Sequence, residues 1–230
     1  MSRIEVTSAL APHTFLASLD ESERAAIESL GITRAFRPGS MLMFEHEETE
    51  RMMILLSGRV KVCRTGEDGH DLMLSIRDPG DVLGELAAID DEPHIATVTA
   101  LEPVTALVAS TRAFRSHLES TPRVAVVLLE VIVRRFRETT IKRSQSTASD
   151  TMARVAARIL ELSERYGTPT DNGTEIVMPI SQEELAAWTG ASRAGVAHAL
   201  QAMRELGWLT TQRRRISVTD LEALQKRAIF

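Results

Sequence analysis

The sequence has a single cysteine, no long apolar run and no apolar stretch at its start. One cysteine in 230 residues, Cys63, excludes an intramolecular disulfide and the several thiolate ligands of a Cys-rich zinc or iron–sulfur site. Apolar runs of about 18 residues, which a membrane helix needs, are absent. Polar residues and Pro12 interrupt the start of the chain, so we expect no secretory signal. These absences favour a cytoplasmic protein that does not contact a membrane.

Motifs of catalysis and metal binding are also lacking. The sequence holds no P-loop, nucleophile elbow or dinucleotide fingerprint. FEHEE places one histidine between glutamates, but no second histidine stands two residues away, as metal sites commonly require. A haem would need an axial histidine or cysteine, but no motif that indicates haem binding surrounds the candidate histidines, which are His13, His46, His70 and His117. We therefore predict neither an enzyme nor a metal site.

Charge is unevenly distributed along the chain. The net charge is −5, but residues 151–230 carry 10 Lys and Arg against 9 Asp and Glu, whereas residues 1–150 carry 17 against 23. The C-terminal part also holds the one basic cluster, Arg213–Arg215. Because local charge governs contact with DNA, the overall acidity does not exclude a DNA-binding C-terminal part.

The region from Thr33 to about Ala109 alternates short apolar runs with turn signals. The runs include MMILLSGRVKVCR, DLMLSIRD and IATVTALEPVTALVA, and the turns include RPGS, GEDG and DPGD. Short strands at this spacing predict a β-barrel or a double-sheet roll. Upstream, Asp20 is the expected N-cap of a short amphipathic helix.

One long helix is predicted after Pro122, since RVAVVLLEVIVRRFRETTIKRSQSTAS contains neither Gly nor Pro over about 25 residues. Its first half is apolar around much of its surface and needs partners on more than one side. We expect these partners to be its own β domain and a second copy of the helix, which predicts a dimer. The apolar positions are Val124, Val127, Leu128, Val131 and Ile132.

Capping signals predict three further helices. Asp150 caps the first, which Gly167 ends, and GTPTDNGTE then reads as a loop before a short strand, IVMPI. The second starts at an S-x-x-E capping box, Ser181 to Glu184. Ser192 caps the third, in which Val196, Leu200 and Met203 are spaced to face inward, whereas Arg193, His198, Gln201 and Arg204 fall on other faces.

The last two helices and the segment after them form a winged helix-turn-helix pattern. Gly190 permits the sharp turn between the helices, and Gly207 ends the second one. WLTTQRRRISV predicts a two-stranded hairpin with Arg213–Arg215 at its tip. The second helix would enter the major groove, with the arginines near phosphates. The alternative is two ordinary surface helices and a solvated arginine turn.

Taken together, the chain from about Phe15 to Ser217 resembles the Crp–Fnr family of bacterial transcription regulators. LLSGRVKV resembles its β-roll glycine turn, GDVLGEL its phosphate-binding cassette, VRRFRETT the end of its dimer helix and GASRAGVAHALQAMRELGWL its recognition unit. The resemblance implies an α+β chain with a β-roll effector-sensing domain of the cyclic-nucleotide-binding type (1–120), a dimerisation helix (121–149) and a winged helix-turn-helix (150–230). It implies a homodimer on a two-fold operator in double-stranded DNA, with RNA polymerase as a further partner.

The resemblance also assigns DNA contacts. Arg193 matches a base-reading arginine suited to guanine O6 and N7, Ala194 replaces a frequent glutamate, and His198 replaces a second arginine. The operator should therefore depart from the family's usual half-site but keep a guanine opposite Arg193. Gln182 replaces a phosphate-contacting arginine, so we expect a shallower salt dependence. The predicted contact set is Ser181, Gln182, Ser192, Arg193, Ala194, His198, Gln201, Arg213, Arg214 and Arg215.

In the family, cyclic AMP binds inside the β-roll. Gly84, Glu85 and Leu86 match the turn whose backbone N–H groups hold its phosphate and whose glutamate holds its ribose. Thr139 and Thr140 match the pair that contacts adenine, although solvated helix surface is the alternative interpretation.

The arginine that pairs with the phosphate in the family is missing, and its position falls among His94, Ile95 and Ala96. Without it, Glu85 and a phosphate would repel each other in a partly dry site. A protonated His94 is a substitute for the arginine; the alternative is an imidazole in a surface loop. Three possibilities stay open: cyclic AMP, another small effector, or DNA binding without an effector.

A different function also stays open, because only one strong base reader, Arg193, is retained. An architectural protein that coats DNA without an effector would show weak sequence preference. A sharp footprint on a two-fold site would exclude it.

Overall fold

The structure is a computed structural model. It divides into two compact units, the first formed by residues up to 69 with 74–137, and the second by 70–73 with 138 onward. The domain limits expected from the sequence remain predictions. His70, Arg213, residues 147–149, and Met178 and Pro179 of the predicted strand IVMPI lie outside the described residues. Those described are 10–48, 50–66, 69, 71–146, 150–177, 180–212 and 214–228.

The first unit begins with a 3-10 turn, Leu16–Ser18, and helix α1, Glu21–Glu28, which Asp20 caps as predicted. Eight strands follow, and they form two four-stranded sheets. The strands are β1 Gly31–Phe36, β2 Met41–Met43, β3 Arg51–Ser57, β4 Val60–Thr65, β5 Asp71–Arg77, β6 Val82–Leu83, β7 Thr97–Ala100 and β8 Val104–Ser110. Their orders are β1-β8-β3-β6 and β2-β7-β4-β5, which confirms the predicted double-sheet roll.

Strand β3 is buried on both faces. Leu55 joins an apolar cluster between the two sheets that includes Val98 of β7. Its neighbour Ile54 joins a second cluster, with Val127 of a helix that covers the outer face of the first sheet. This double burial explains why MMILL is a continuous apolar run instead of an alternating one.

Gly58 makes the turn from β3 to β4. Its φ is +75°, and a Cβ there would lie 2.2 Å from the carbonyl oxygen of Pro103, so only glycine fits. The neighbouring Arg59 binds Glu102 through two hydrogen bonds, of 2.8 and 3.0 Å. The glycine turn that the resemblance implied is therefore held against the β7–β8 connection.

Three further helices follow in the described part of the chain, α2 Glu85–Asp90, α3 Thr111–Ser120 and α4 Pro122–Ser146. Helix α4 belongs to the first unit up to residue 137. The 25 residues of α4 confirm the predicted long helix. Helix α3 was not predicted, although Ser110 is a cap signal: its Oγ accepts a hydrogen bond from Ala113 N at 3.1 Å.

The second unit contains α5 Thr151–Tyr166, β9 Gly167–Thr170, β10 Gly173–Val177, α6 Gln182–Thr189, α7 Arg193–Glu205, β11 Leu209–Gln212, β12 Arg215–Val218 and α8 Leu221–Ala228. Its strand order is β11-β12-β10-β9. The prediction that GTPTDNGTE is a loop was wrong, because this segment forms the β9–β10 hairpin. The reason is tertiary, because β10 pairs with β12 of the wing, and Gly173 leaves no room for a Cβ, which would lie 2.0 Å from Val218 O.

Candidate DNA interface and effector site

Local hydrogen bonds set the position of the two helices of the helix-turn-helix. Ser181 Oγ accepts from Glu184 N at 3.2 Å and Glu184 Oε2 accepts from Ser181 N at 2.7 Å, which is the predicted capping box. Gly190 adopts a left-handed φ of +60° at the turn. Ser192 Oγ then accepts from Gly195 N at 3.0 Å and starts α7 at Arg193.

Helix α7 separates a buried face from an exposed one. Val196, Leu200 and Met203 are buried, as the spacing predicted. The first two turns expose the predicted base-reading positions Arg193, Ala194 and His198, together with Ala197, and Gln201 is exposed one turn later. Gln201 Nε2 donates to Glu205 Oε1 at 2.9 Å, which holds that side chain along the helix.

The wing differs from the predicted arginine tip. Arg215 lies in strand β12, where its Nη1 donates to Glu175 Oε1 at 2.8 Å, so a carboxylate of β10 offsets its charge. Arg214 occupies the turn, exposed and with a φ of +58°. A contact missed from the sequence, Arg204 Nη1 to Thr211 Oγ1 at 2.8 Å, ties α7 to the wing strand β11.

In the first unit, Gly84 connects β6 to α2, so the predicted Gly84–Leu86 turn is the start of that helix. Gly84 has a φ of +74°, and Glu85 is buried. Arg135 of α4 donates through Nη1 to Glu85 Oε1 at 2.6 Å and through Nη2 to Asp81 Oδ1 at 2.7 Å. Burial lowers the pKa of the Arg135 guanidinium, but Glu85 and Asp81 outweigh burial and raise it overall.

Arg135 was not predicted as a site residue, although a signal was present. Val124, Leu128, Val131 and Arg135 follow at spacings of four, three and four, which places the arginine on the buried face of α4. A charged residue on such a face requires an ionic partner inside the fold. Glu85, which was expected to repel a phosphate, thus already has a cation beside it.

His94 is buried, with 6% of its surface exposed, so the surface-loop alternative was wrong. Its backbone is bracketed by the β2–β3 loop: His94 N donates to Glu47 O at 3.2 Å, and His46 N donates to His94 O at 2.8 Å. The imidazole packs on the glycine of the turn, since a Cβ on Gly84 would lie 2.9 Å from His94 Cε1. Its Nε2 is buried without a hydrogen-bond partner.

The remaining predicted effector residues are dispersed. Leu86 is half-buried and Ala96 is buried, whereas Ile95 is 59% exposed. Thr139 and Thr140 are exposed on α4. Gly84, Glu85 and His94 are therefore the members of the predicted set that the first unit brings together. Among the described residues, no group of His, Cys, Asp or Glu side chains is arranged to hold a metal, and no helix is long and apolar enough to cross a bilayer.

Alanine at Gly84 is expected to destabilise the first unit more than alanine at Gly39, a matched control. Both glycines have a left-handed φ, +74° and +79°, but a Cβ on Gly39 meets nothing within 4 Å, whereas one on Gly84 lies 2.9 Å from His94 and 3.0 Å from Met43. The shared φ cost is about 1–2 kcal/mol, and at Gly84 alone overpacking against His94 and Met43 adds about 1 kcal/mol. Denaturant unfolding of both variants measures the difference; equal losses would contradict the contact.

Family models match both units. Residues 33–121 match the cyclic nucleotide-binding domain, and residues 153–227 match the Crp-like helix-turn-helix domain. A CRP-like cAMP-activated global transcriptional regulator of Mycobacterium tuberculosis is 33% identical over 193 residues, which cover 84% of this chain and 86% of that protein. The Cyclic AMP receptor protein of Thermus thermophilus is 26% identical over 174 residues, 76% of this chain and 77% of that protein.

The solved structure of a CooA mutant from Carboxydothermus hydrogenoformans has the same fold, with a TM-score of 0.79 at 20% identity over 96% of this chain and 98% of that one. The chain belongs to the Crp–Fnr family of transcription regulators. It is a DNA-binding transcription regulator with an effector domain of the cyclic nucleotide-binding type. This confirms the α+β fold class, and membership in a family of transcription regulators agrees with the prediction that the protein is not an enzyme.

Proposed function

We propose that the protein is a homodimer that reads a two-fold operator through α7 and responds to a small phosphate-bearing effector at Gly84–Leu86. The observation that carries the DNA-reading part is a helix capped at Ser192 that buries one face and exposes Arg193 and His198 on the other. The limits proposed for the three parts are 1–120, 121–149 and 150–230. We also propose that the protein contacts RNA polymerase and is located in the cytoplasm.

The dimer is supported by an exposed apolar stripe on α4. Its members recur at spacings of three, four and three, which is the pattern of a helix seam, and they face away from the buried positions of the same helix. Their exposed fractions are 54% for Val126, 58% for Leu129, 40% for Val133 and 72% for Phe136. A second copy of α4 covers such a stripe with an identical one across a two-fold axis.

Glutamate at Leu129 is expected to weaken the dimer about 30-fold or more, because a two-fold axis places the charge in the apolar seam twice. Sedimentation over a concentration series measures the dissociation constant. Ile32→Glu is the matched control, since Ile32 is 60% exposed on β1 and outside the stripe. A dimer that survives Leu129→Glu unchanged would contradict the proposed seam.

Cyclic AMP is the first effector to test. The Mycobacterium tuberculosis relative is named as activated by it, and Arg135 offsets the charge of Glu85 next to the expected phosphate position. Calorimetric titration into dimer shown by mass to be ligand-free gives the test. Micromolar binding supports cyclic AMP as the effector, whereas no heat at millimolar concentration leaves another small effector or constitutive DNA binding.

The alternative function, an architectural protein with weak sequence preference, makes a different prediction. It would bind unrelated duplexes with similar affinity, with or without a small molecule. A footprint confined to a two-fold site would exclude it, and evenly distributed protection along the DNA would favour it.

A further inference from the structure

The imidazole of His94 is a buried polar group that the fold itself does not use. The residue is 6% exposed, its Nε2 has no hydrogen-bond partner, and its ring lies against Gly84. Buried polar atoms in folded proteins nearly always have a partner, so an exception requires an explanation. A ligand that reaches the Gly84–Leu86 turn arrives next to this nitrogen.

Charged groups of three neighbouring segments act on the imidazole of His94. Burial lowers the pKa of its imidazole most; Glu47 of the β2–β3 loop and Glu85 of α2 raise it, and Arg51 of β3 lowers it. The net direction is down, so the free protein holds His94 neutral at neutral pH. Glu85 in turn forms an ion pair with Arg135, which also pairs with Asp81.

Among these groups, His94 is the one whose charge an effector can change. Glu85 is bonded to Arg135, and Arg51 lies 3.7 Å from Glu47 in an ion pair. The neutral imidazole, by contrast, gains a positive charge when an anion stabilises it, since an opposite charge within about 4–6 Å favours the charged form.

We propose that the effector site is proton-coupled: a phosphate-bearing effector binds at the Gly84–Leu86 turn together with one proton, which Nε2 of His94 takes up and donates to the phosphate as a hydrogen bond. The inference rests on the proposed effector site, and it specifies the regulation of that site. DNA readout by α7 does not depend on it.

The sign of the pH dependence follows from the order of the pKa values. The pKa of His94 is lowered in the free protein and raised by the bound anion, so the complex holds more protons than its parts between the two values. A phosphodiester stays anionic throughout the neutral range and contributes no titration of its own. Affinity therefore rises as pH falls, by up to about tenfold per pH unit between the two pKa values, and levels off below the free-protein value.

Calorimetric titration of cyclic AMP into the full-length protein, at several pH values and in two buffers with different ionisation enthalpies, measures both affinity and proton uptake. We expect uptake that approaches one proton in the wild type. His94→Gln should remove the uptake and weaken binding, whereas His94→Arg should bind with little pH dependence because its charge is permanent. His46→Gln is the matched control, since His46 lies in the β2–β3 loop that contacts His94, but its side chain is 81% exposed.

Every outcome decides the proposal. Uptake that is lost in His94→Gln and kept in His46→Gln supports it. Binding without uptake, or uptake that persists in His94→Gln, overturns the coupling while leaving cyclic AMP as effector. Binding by His94→Arg alone overturns the coupling and shows that the site lacks only a cation. No binding by any variant overturns both the coupling and cyclic AMP as effector; footprinting without ligand then tests operator reading separately.

Discussion

Replacing Arg193 with alanine is expected to abolish the operator preference of the protein and leave its dimer intact. Arg193 is exposed at the first position of α7 and has the fork geometry for guanine O6 and N7. One such base contact is worth about 1–3 kcal/mol of discrimination, which corresponds to about 5- to 150-fold. Competition binding between the operator and a scrambled duplex measures the ratio, and sedimentation checks the dimer.

Arg214→Ala is the matched control for charge. Arg214 lies in the wing turn, where the proposed interface would bring it to phosphates and not to bases. Its removal should weaken binding to both duplexes alike and reduce the slope of log affinity against log salt by about 1. An Arg193→Ala protein with an unchanged footprint would refute base reading by this residue.

Replacing Arg135 with methionine is expected to destabilise the first unit by about 3–5 kcal/mol. The side chains of Asp81 and Glu85 are each 11% exposed, and that of Arg135 is 15% exposed. Without the guanidinium, two neighbouring carboxylates remain buried without a countercharge, which costs far more than the loss of a surface pair. Chemical unfolding at pH 7 measures the loss.

Two comparisons separate this explanation from simple loss of packing. Arg134→Met removes a guanidinium whose exposed hydrogen bond goes to the backbone carbonyl of His13. Its loss should therefore lower the free energy of unfolding by less than about 1 kcal/mol. Adding Glu85→Gln and Asp81→Asn to the methionine variant should restore most of the stability, because the amides carry no charge that needs a countercharge. A triple variant as unstable as the single one would contradict the electrostatic cause.

Much of the DNA-binding unit was predictable because its signals are local. A cap at Ser192, a capping box at Ser181 and a glycine turn at Gly190 each depend on residues within four positions of one another. The same holds for α4, whose length follows from an uninterrupted stretch after Pro122. Hence the helix boundaries and the buried face of α7 agree with the prediction.

The candidate effector site was less predictable because its contacts connect distant residues. Arg135 reaches Glu85 across 50 positions and Asp81 across 54, so the residues around the missing arginine gave no indication of it. For the same reason, the sequence did not decide whether His94 lies in a surface loop or in the candidate site. Its burial depends on how the β2–β3 loop packs against the turn at Gly84.

By itself, the sequence determined the succession of β-roll, long helix and winged helix-turn-helix, together with the caps and glycine turns that delimit them. The tertiary structure alone decided that β9 and β10 join the wing sheet, that Arg215 pairs with Glu175 across 40 positions, and that His94 is buried beside Gly84. The physical reason is range: caps and helical spacing act within one or two turns, whereas ion pairs, strand pairing and burial depend on segments that only the folded chain brings together.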